Sequence, residues 1–178
     1  MSLSLLGWLF ALGVIAHNTE EAILFPAWSA NSGRWHFSVS SGAFRFGAVV
    51  LSVAVLVAAL AASIGGARSV GAYLISGYAL AMVLNVFIPH VVATIALRVY
   101  APGTATALLF NLPLGGWLVY RALVERYVEP RVFAVAGPVT VVCIIASIPL
   151  LFAIGVGCAA TQKKCKKYGK FAQGSTSE

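Results

Sequence analysis

The sequence predicts an all-α integral membrane protein that crosses the bilayer as a bundle of about five helices. Of its 178 residues, 60% are hydrophobic and only 10% are charged, and the mean hydropathy is +0.92. An ordinary soluble domain has about 45–50% apolar and about 25% charged residues. A water-soluble fold could not bury this much apolar side chain. One membrane helix needs about 20 apolar residues, so the chain has room for five spans with short connections.

Five apolar stretches carry this hydropathy, and polar or turn-forming segments separate them. The predicted spans are residues 3–27, 43–64, 70–99, 104–123 and 132–158. Residues 29–42 are too polar to cross and form a loop or an interfacial segment, while Gly65-Gly66 and Pro102-Gly103 are typical of turns. Residues 1–160 are therefore predicted to form a single transmembrane helical domain.

Positive charge is concentrated behind the last span. The net charge is +7, and five of the 12 basic residues are lysines between residues 163 and 170. Such a cluster directly after a hydrophobic segment is typical of a cytoplasmic end, because of the positive-inside bias and the attraction to anionic lipid. Residues 161–178 are therefore predicted to be a flexible, basic cytoplasmic tail of a multi-pass inner (plasma) membrane protein whose N-terminus lies outside. The lipid bilayer is the predicted partner, and nucleic-acid binding is not indicated.

The first span contains ionisable residues where the membrane interior is apolar. Glu20 and Glu21 lie inside it, and an acidic side chain at mid-helix costs about 2.5–3.5 kcal/mol on insertion scales. His17 precedes them by three and four positions, so at about 100° per residue the three side chains share one face of the helix. Intramembrane ionisable residues usually face the bundle interior, and this group therefore predicts a buried site.

The other spans supply polar residues that can complete this site. The third span contains Asn85 and His90, and Pro89 predicts a kink immediately before the histidine. The fourth contains Asn111 and, near its end, Tyr120. A proline also releases a backbone carbonyl from its helical hydrogen bond, which gives the site an additional acceptor.

Two imidazoles and two carboxylates form a ligand set that suits a divalent metal such as zinc or iron. The predicted metal ligands are His17, Glu20, Glu21 and His90, and the predicted catalytic residues are the same four together with Asn85, Asn111 and Tyr120. On this hypothesis the protein is a membrane-embedded metal-dependent enzyme that acts on a lipid-like or small apolar substrate.

Three other hypotheses use the same residues. One is a metal-free acid–base isomerase or cyclase, in which one buried glutamic acid stays protonated and its neighbour is ionised. Another is a small proton-coupled transporter that passes protons along these side chains. The third is a structural role, in which the histidine and the carboxylates bond neighbouring helices. The sequence leaves this choice open, and with it the enzymatic activity, the substrate and the oligomeric state.

The first-span residues His17-Asn18-Thr19-Glu20-Glu21 resemble the signature of the HXXEE-domain family of bacterial integral membrane proteins. Further family elements follow in the same order: an asparagine shortly before a histidine, then Tyr100-Ala101-Pro102-Gly103, then Gly116 with Tyr120 four residues later. The resemblance runs from residue 17 to residue 120. It implies a membrane protein whose motifs point to metal binding or catalysis.

One spacing departs from the family pattern. The family's asparagine and histidine are four residues apart, whereas Asn85 and His90 are five apart, and five residues on a straight helix differ in direction by about 140°. Either the kink at Pro89 brings the two side chains together, or only one of them belongs to the site.

Overall fold

The structure is a computed structural model, and nearly all of its described backbone is helical. It describes the backbone of residues 1–31 and 39–174 and the side chains of residues 1–30 and 39–157. The elements are α1 (Leu3–Asn31), α2 (Ser41–Gly65), α3 (Val70–Asn85), a first π-helical segment (Val86–Val91), α4 (Val92–Leu97), α5 (Thr104–Thr106), a second π-helical segment (Ala107–Gly115), α6 (Gly116–Val124) and α7 (Pro130–Gly174).

Four stretches of the described chain are long and apolar enough to cross a membrane: Ser41–Gly65, Val70–Leu97, Thr104–Val124 and Pro130–Gly157. Helix α1 is the fifth long helix, and its 29 residues would reach about 43 Å. Its ionisable residues lower its hydropathy, but Leu6, Phe10 and Val14 are fully buried in the core of the bundle. The predicted all-α membrane bundle of about five helices is confirmed.

Serine caps and a small residue shape α2 and α3. Helices α2 and α3 begin where the side chains of Ser40 and Ser69 accept hydrogen bonds from backbone N–H groups three residues later. Gly71 then lets α3 approach α2 closely, because a Cβ atom at this position would lie only 2.3 Å from the backbone carbon of Ala61. Small residues at helix interfaces allow this kind of close backbone packing in membranes.

Contacts between the helices define their directions. Helices α1 and α2 are antiparallel, since Trp8 donates to Ser63 and Arg45 donates to the carbonyl of Ala22. The stretch Thr104–Val124 is antiparallel to α1, and α7 runs antiparallel to α2 and parallel to α3. One end of the bundle therefore holds the end of α1, the start of α2, the end of α4, the start of α5 and the continuation of α7 toward residue 174. We call it the tail end.

Two helices continue beyond the membrane spans predicted for them. Helix α1 continues to Asn31 rather than ending at residue 27, and residues 32–38 of the predicted polar segment lie outside the described residues. Helix α7 contains the predicted fifth span, as Pro130–Gly157, and continues to Gly174, because the residues that follow are mostly good helix formers with no proline among them. Its 45 residues would reach about 67 Å, more than twice the hydrocarbon thickness of about 30 Å. Residues 175–178 of the predicted tail lie outside the described part.

The close approach at Gly71 predicts a difference between two identical substitutions. Gly71→Ala should lower the free energy of unfolding by about 1–3 kcal/mol, because the new methyl group overlaps the α2 backbone. Gly116→Ala is the matched control, since a Cβ there meets no atom within 4 Å and alanine favours the helix. Thermal unfolding of both variants in detergent would measure the difference, and equal melting temperatures would contradict this packing.

Candidate metal centre

A break in the third long helix brings Asn85 and His90 together. Ile88, which precedes Pro89, has an extended backbone (φ −127°, ψ 112°) within the first π-helical segment, and a residue before proline disfavours the α conformation. The break turns the chain so that Asn85 Nδ2 lies 2.9 Å from His90 Nε2. The kink at Pro89 thus compensates for the five-residue spacing.

Three ionisable side chains from two helices meet beside this break. His17 Nε2 lies 3.7 Å from Glu21 Oε2, and His90 Nε2 lies 3.4 Å from Glu21 Oε1. One ligand atom from each of the three residues lies within 4.8 Å of the other two. Ligand atoms in a tetrahedral site with bonds of about 2.0–2.2 Å are about 3.3–3.6 Å apart, so the two contacts have nearly the spacing of a metal site. We call His17, Glu21 and His90 the cluster.

Backbone carbonyls of the turn between α4 and α5 orient both imidazoles. His17 Nδ1 lies 3.1 Å from the Gly103 carbonyl oxygen, and His90 hydrogen-bonds the Pro102 backbone. A neutral imidazole that donates one N–H to a carbonyl presents its other nitrogen as an acceptor or metal ligand. For His17 that nitrogen is Nε2, which faces Glu21. Both rings are almost completely buried, and they meet edge to face with centroids 4.9 Å apart.

The cluster requires a glycine in this turn. Gly103 has φ +88°, a left-handed conformation that glycine adopts without steric cost. A Cβ atom there would lie 2.8 Å from Cε1 of both His17 and His90 and 2.9 Å from Cγ of Glu21. Any side chain at position 103 would therefore displace the cluster.

Glu20 belongs to a different set of contacts. Its carboxylate accepts hydrogen bonds from Thr106 Oγ1 (2.6 Å), from the backbone N–H groups of Gly103 (3.0 Å) and Thr106 (3.3 Å), and from the Tyr100 hydroxyl. These contacts cap the start of Thr104–Val124, where free N–H groups and the helix dipole favour a negative charge. Burial and the bond to Glu20 raise the pKa of Tyr100, which keeps its hydroxyl a donor. Glu20 is thus a cap and not one of the residues whose ligand atoms meet, in contrast to its predicted place in the metal set.

The three remaining predicted residues have different surroundings. Asn85 lies at the cluster, with Nδ2 also 3.4 Å from His17 Nε2. Asn111 is fully buried in the second π-helical segment, and neither polar atom of its side chain has a hydrogen-bond partner within the described residues. Tyr120 is 56% exposed and stacks on Trp117, about 21 Å along the helix axis from Thr106. The structure does not bring Tyr120 to the site.

Sequence reasoning missed the residues that hold the cluster in place. Tyr100 and Gly103 belong to the Tyr-x-Pro-Gly element of the family, which is a signal for them, but the site residues predicted from the sequence do not include them. No sequence pattern points to Thr106, because a threonine in an apolar span does not indicate which carboxylate its hydroxyl will bond.

An apolar cavity of about 240 Å³ opens beside the cluster. Glu21 and His90 lie at one side of it, and the rest of the lining comes from apolar side chains such as Phe25, Ile88 and Leu97. The ionisable groups of the cluster therefore border a space suited to hydrocarbon.

A known protein family matches the part of the chain that contains the cluster. A family model described as "Protein of unknown function with HXXEE motif" matches residues 8–118, which include the whole cluster and the Glu20 cap. The chain belongs to the HXXEE family. It is also 30% identical over 146 residues to the uncharacterized protein YrkK of Bacillus subtilis (strain 168), which covers 82% of this chain and 92% of the relative. No solved structure matches the chain.

The three residues that give the HXXEE motif its name have two different environments. His17 and Glu21 are one helical turn apart and meet His90, whereas Glu20 points to the turn that precedes α5. The intervening Asn18 contacts α2, where its Nδ2 donates to Ser52 Oγ at 3.0 Å. The motif therefore connects the first long helix to the second, third and fourth.

The cap predicts that Glu20→Gln destabilises the fold. The amide keeps the size of the side chain but can accept fewer hydrogen bonds than the carboxylate, so we expect a loss of about 1–3 kcal/mol in the free energy of unfolding. Glu125→Gln is the control, because Glu125 forms a partly exposed pair with Arg121 that should contribute less than about 1 kcal/mol. Thermal unfolding in detergent would compare them. A Glu20→Gln protein as stable as the Glu125→Gln protein would show that the cap has little energetic weight.

Proposed function

We propose that this HXXEE protein is a membrane-embedded metal-dependent enzyme in which His17, Glu21 and His90 bind a divalent cation, zinc or iron first. The convergence of two imidazole nitrogens and one carboxylate beside an apolar cavity carries this proposal. The substrate we propose is lipid-like or a small apolar molecule.

The donor set supports a metal that keeps an open position. Two histidines and one carboxylate bind zinc in hydrolytic enzymes and iron in oxygenases, and in both classes a further position takes water or substrate. Asn85 lies next to both histidines, and rotation of its amide would present Oδ1 to a cation. The carbonyls of Pro102 and Gly103 supply the orienting contacts that metal-binding histidines usually have.

Electrostatics also favours a cation here. The Glu21 carboxylate lies among buried groups. Glu20, the other acidic residue of the motif, forms its hydrogen bonds with Gly103 and Thr106 instead. A divalent ion would offset the cost of burying Glu21, and when bound it would polarise a substrate carbonyl or phosphoryl oxygen or activate a water molecule. Glu21 and His90 line the cavity and so would contact the polar end of a substrate whose apolar part occupies the rest.

The cavity limits the size of that substrate. Its volume of about 240 Å³ is slightly below the range of about 300–1,000 Å³ usual for small-molecule pockets. A single apolar chain or a small ring system fits this space better than a complete two-chain phospholipid. Water would be scarce beside the apolar lining, which strengthens electrostatic interactions with the cluster.

The metal proposal predicts effects of different size for the two adjacent glutamates. Glu21→Gln should reduce bound metal strongly because it removes a ligand charge, whereas Glu20→Gln should reduce it less, because Glu20 is not a ligand and the glutamine amide oxygen can still accept part of the cap that holds the turn. Elemental analysis of detergent-purified protein incubated with zinc or iron(II), followed by desalting, would measure both. Wild-type protein that stays metal-free, with a Glu21→Gln variant more stable than wild type, would exclude the metal and favour acid–base catalysis or proton-coupled transport.

We also propose that the protein lies in the inner (plasma) membrane with the tail end of the bundle in the cytoplasm. The lysines after residue 162 support this orientation, and the cluster lies toward the same end because it contacts the turn before α5. Reporter fusions should show a cytoplasmic C-terminus and an outside N-terminus. Both termini on one side would contradict five crossings, and a reversed pair would contradict the orientation alone.

A further inference from the structure

A groove on the membrane-facing side of α1 and α2 lies on the face of α1 away from the cluster. It encloses about 530 Å³ between the two helices. Its apolar walls include Ile23, Val49 and Val53, which are 65%, 62% and 52% exposed, so no described part of the chain covers them. In a membrane such a surface is in contact with acyl chains.

Arg45 closes this groove at the tail end. Pro26 lacks the N–H that would bond the Ala22 carbonyl in a continuous helix, and Arg45 Nε donates to this carbonyl at 3.3 Å. The contact holds the guanidinium against α1 with one of its five N–H groups engaged. Among the described side chains, no carboxylate lies within ion-pairing distance of Arg45.

We propose that this groove binds one anionic phospholipid, with the phosphate at Arg45 and one acyl chain along the seam between α1 and α2. A guanidinium matches the geometry of a phosphate through paired N–H donors, and the positive charge selects a lipid with net negative charge. The inference does not depend on the metal, because Arg45 makes no contact with the cluster.

The dimensions of the groove match one membrane leaflet. Leu56, at the far end of the lining, is eleven positions after Arg45, which corresponds to about 16 Å along α2. One leaflet of the hydrocarbon core is about 15 Å thick. A phosphate held at Arg45 would therefore lie near the membrane surface while its acyl chain fills the length of the groove.

The floor of the groove connects this lipid to the HXXEE motif. Asn18 and Thr19, the two residues between His17 and Glu20, line it, and Asn18 is bonded to Ser52 of α2. A lipid in the groove would thus pack against the contact between α1, which carries the motif, and α2. We expect it to stabilise the association of α1 with α2.

Native mass spectrometry of the purified full-length protein would test this site. Protein equilibrated in detergent with equal amounts of phosphatidylglycerol and phosphatidylcholine should retain one phosphatidylglycerol. Arg45→Gln should reduce this retention about tenfold or more, the factor expected for loss of a charge-assisted contact. Arg98→Gln is the matched control, because Arg98 lies at the same end of the bundle outside the groove lining, and it should retain the lipid.

A second variant separates lipid loss from misfolding. Val53→Trp should fill the groove and reduce retention with Arg45 intact, and addition of phosphatidylglycerol should raise the melting temperature of wild type but not of this variant. The proposal would be overturned by equal retention of phosphatidylcholine, by no retained lipid, or by equal losses in the Arg45→Gln and Arg98→Gln proteins. Dimerisation through this face, detected as cross-linking between copies at position 49, would also overturn it.

Discussion

The candidate site depends on one interaction, the cap that the Glu20 carboxylate of α1 forms at the start of Thr104–Val124. It fixes the backbone at Gly103 and Thr106 against α1, and the same turn supplies the carbonyls that orient His17 and His90. Without the cap, the turn before α5 would lose its hydrogen bonds to Glu20 and would be held less firmly against α1. The cluster is therefore a consequence of how one helix start is satisfied, and a charge that is expensive in a membrane is offset by N–H and hydroxyl donors.

Irregular backbone lies next to the ionisable residues. The first π-helical segment turns the chain at Pro89, and the second contains Asn111 with two polar atoms that have no partner in the described part of the structure. Non-helical backbone at membrane depth is tolerated where it is buried in protein or lines a cavity, and π-helical turns are frequent at functional sites. The first segment meets this condition directly, because Ile88 and Pro89 line the apolar cavity.

The sequence was sufficient for the membrane class and for the face of α1, because hydropathy and a 100° period depend on local residues alone. It could not separate Glu20 from Glu21. Adjacent residues on a helix point about 100° apart, and which one meets His90 depends on the turn near Gly103 that packs against them. The sequence pattern also did not indicate where α7 ends, since hydropathy marks where a helix leaves the membrane and not where the helix ends.

The depth of the cluster bears on what can reach it. His17 lies at the midpoint of α1, about 21 Å from either end of the helix, and its ring reaches the Gly103 carbonyl in the connection between Leu97 and Thr104. Its partner Gly103 belongs to a connection between two spans, which is the part of a bundle closest to water. A cation entering from that side would not need to cross the centre of the membrane, whereas an apolar substrate would enter through the cavity next to Ile88 and Leu97. If the cluster holds a metal as proposed, this arrangement would give the cation a polar route from the connection and the substrate a separate apolar route through the cavity.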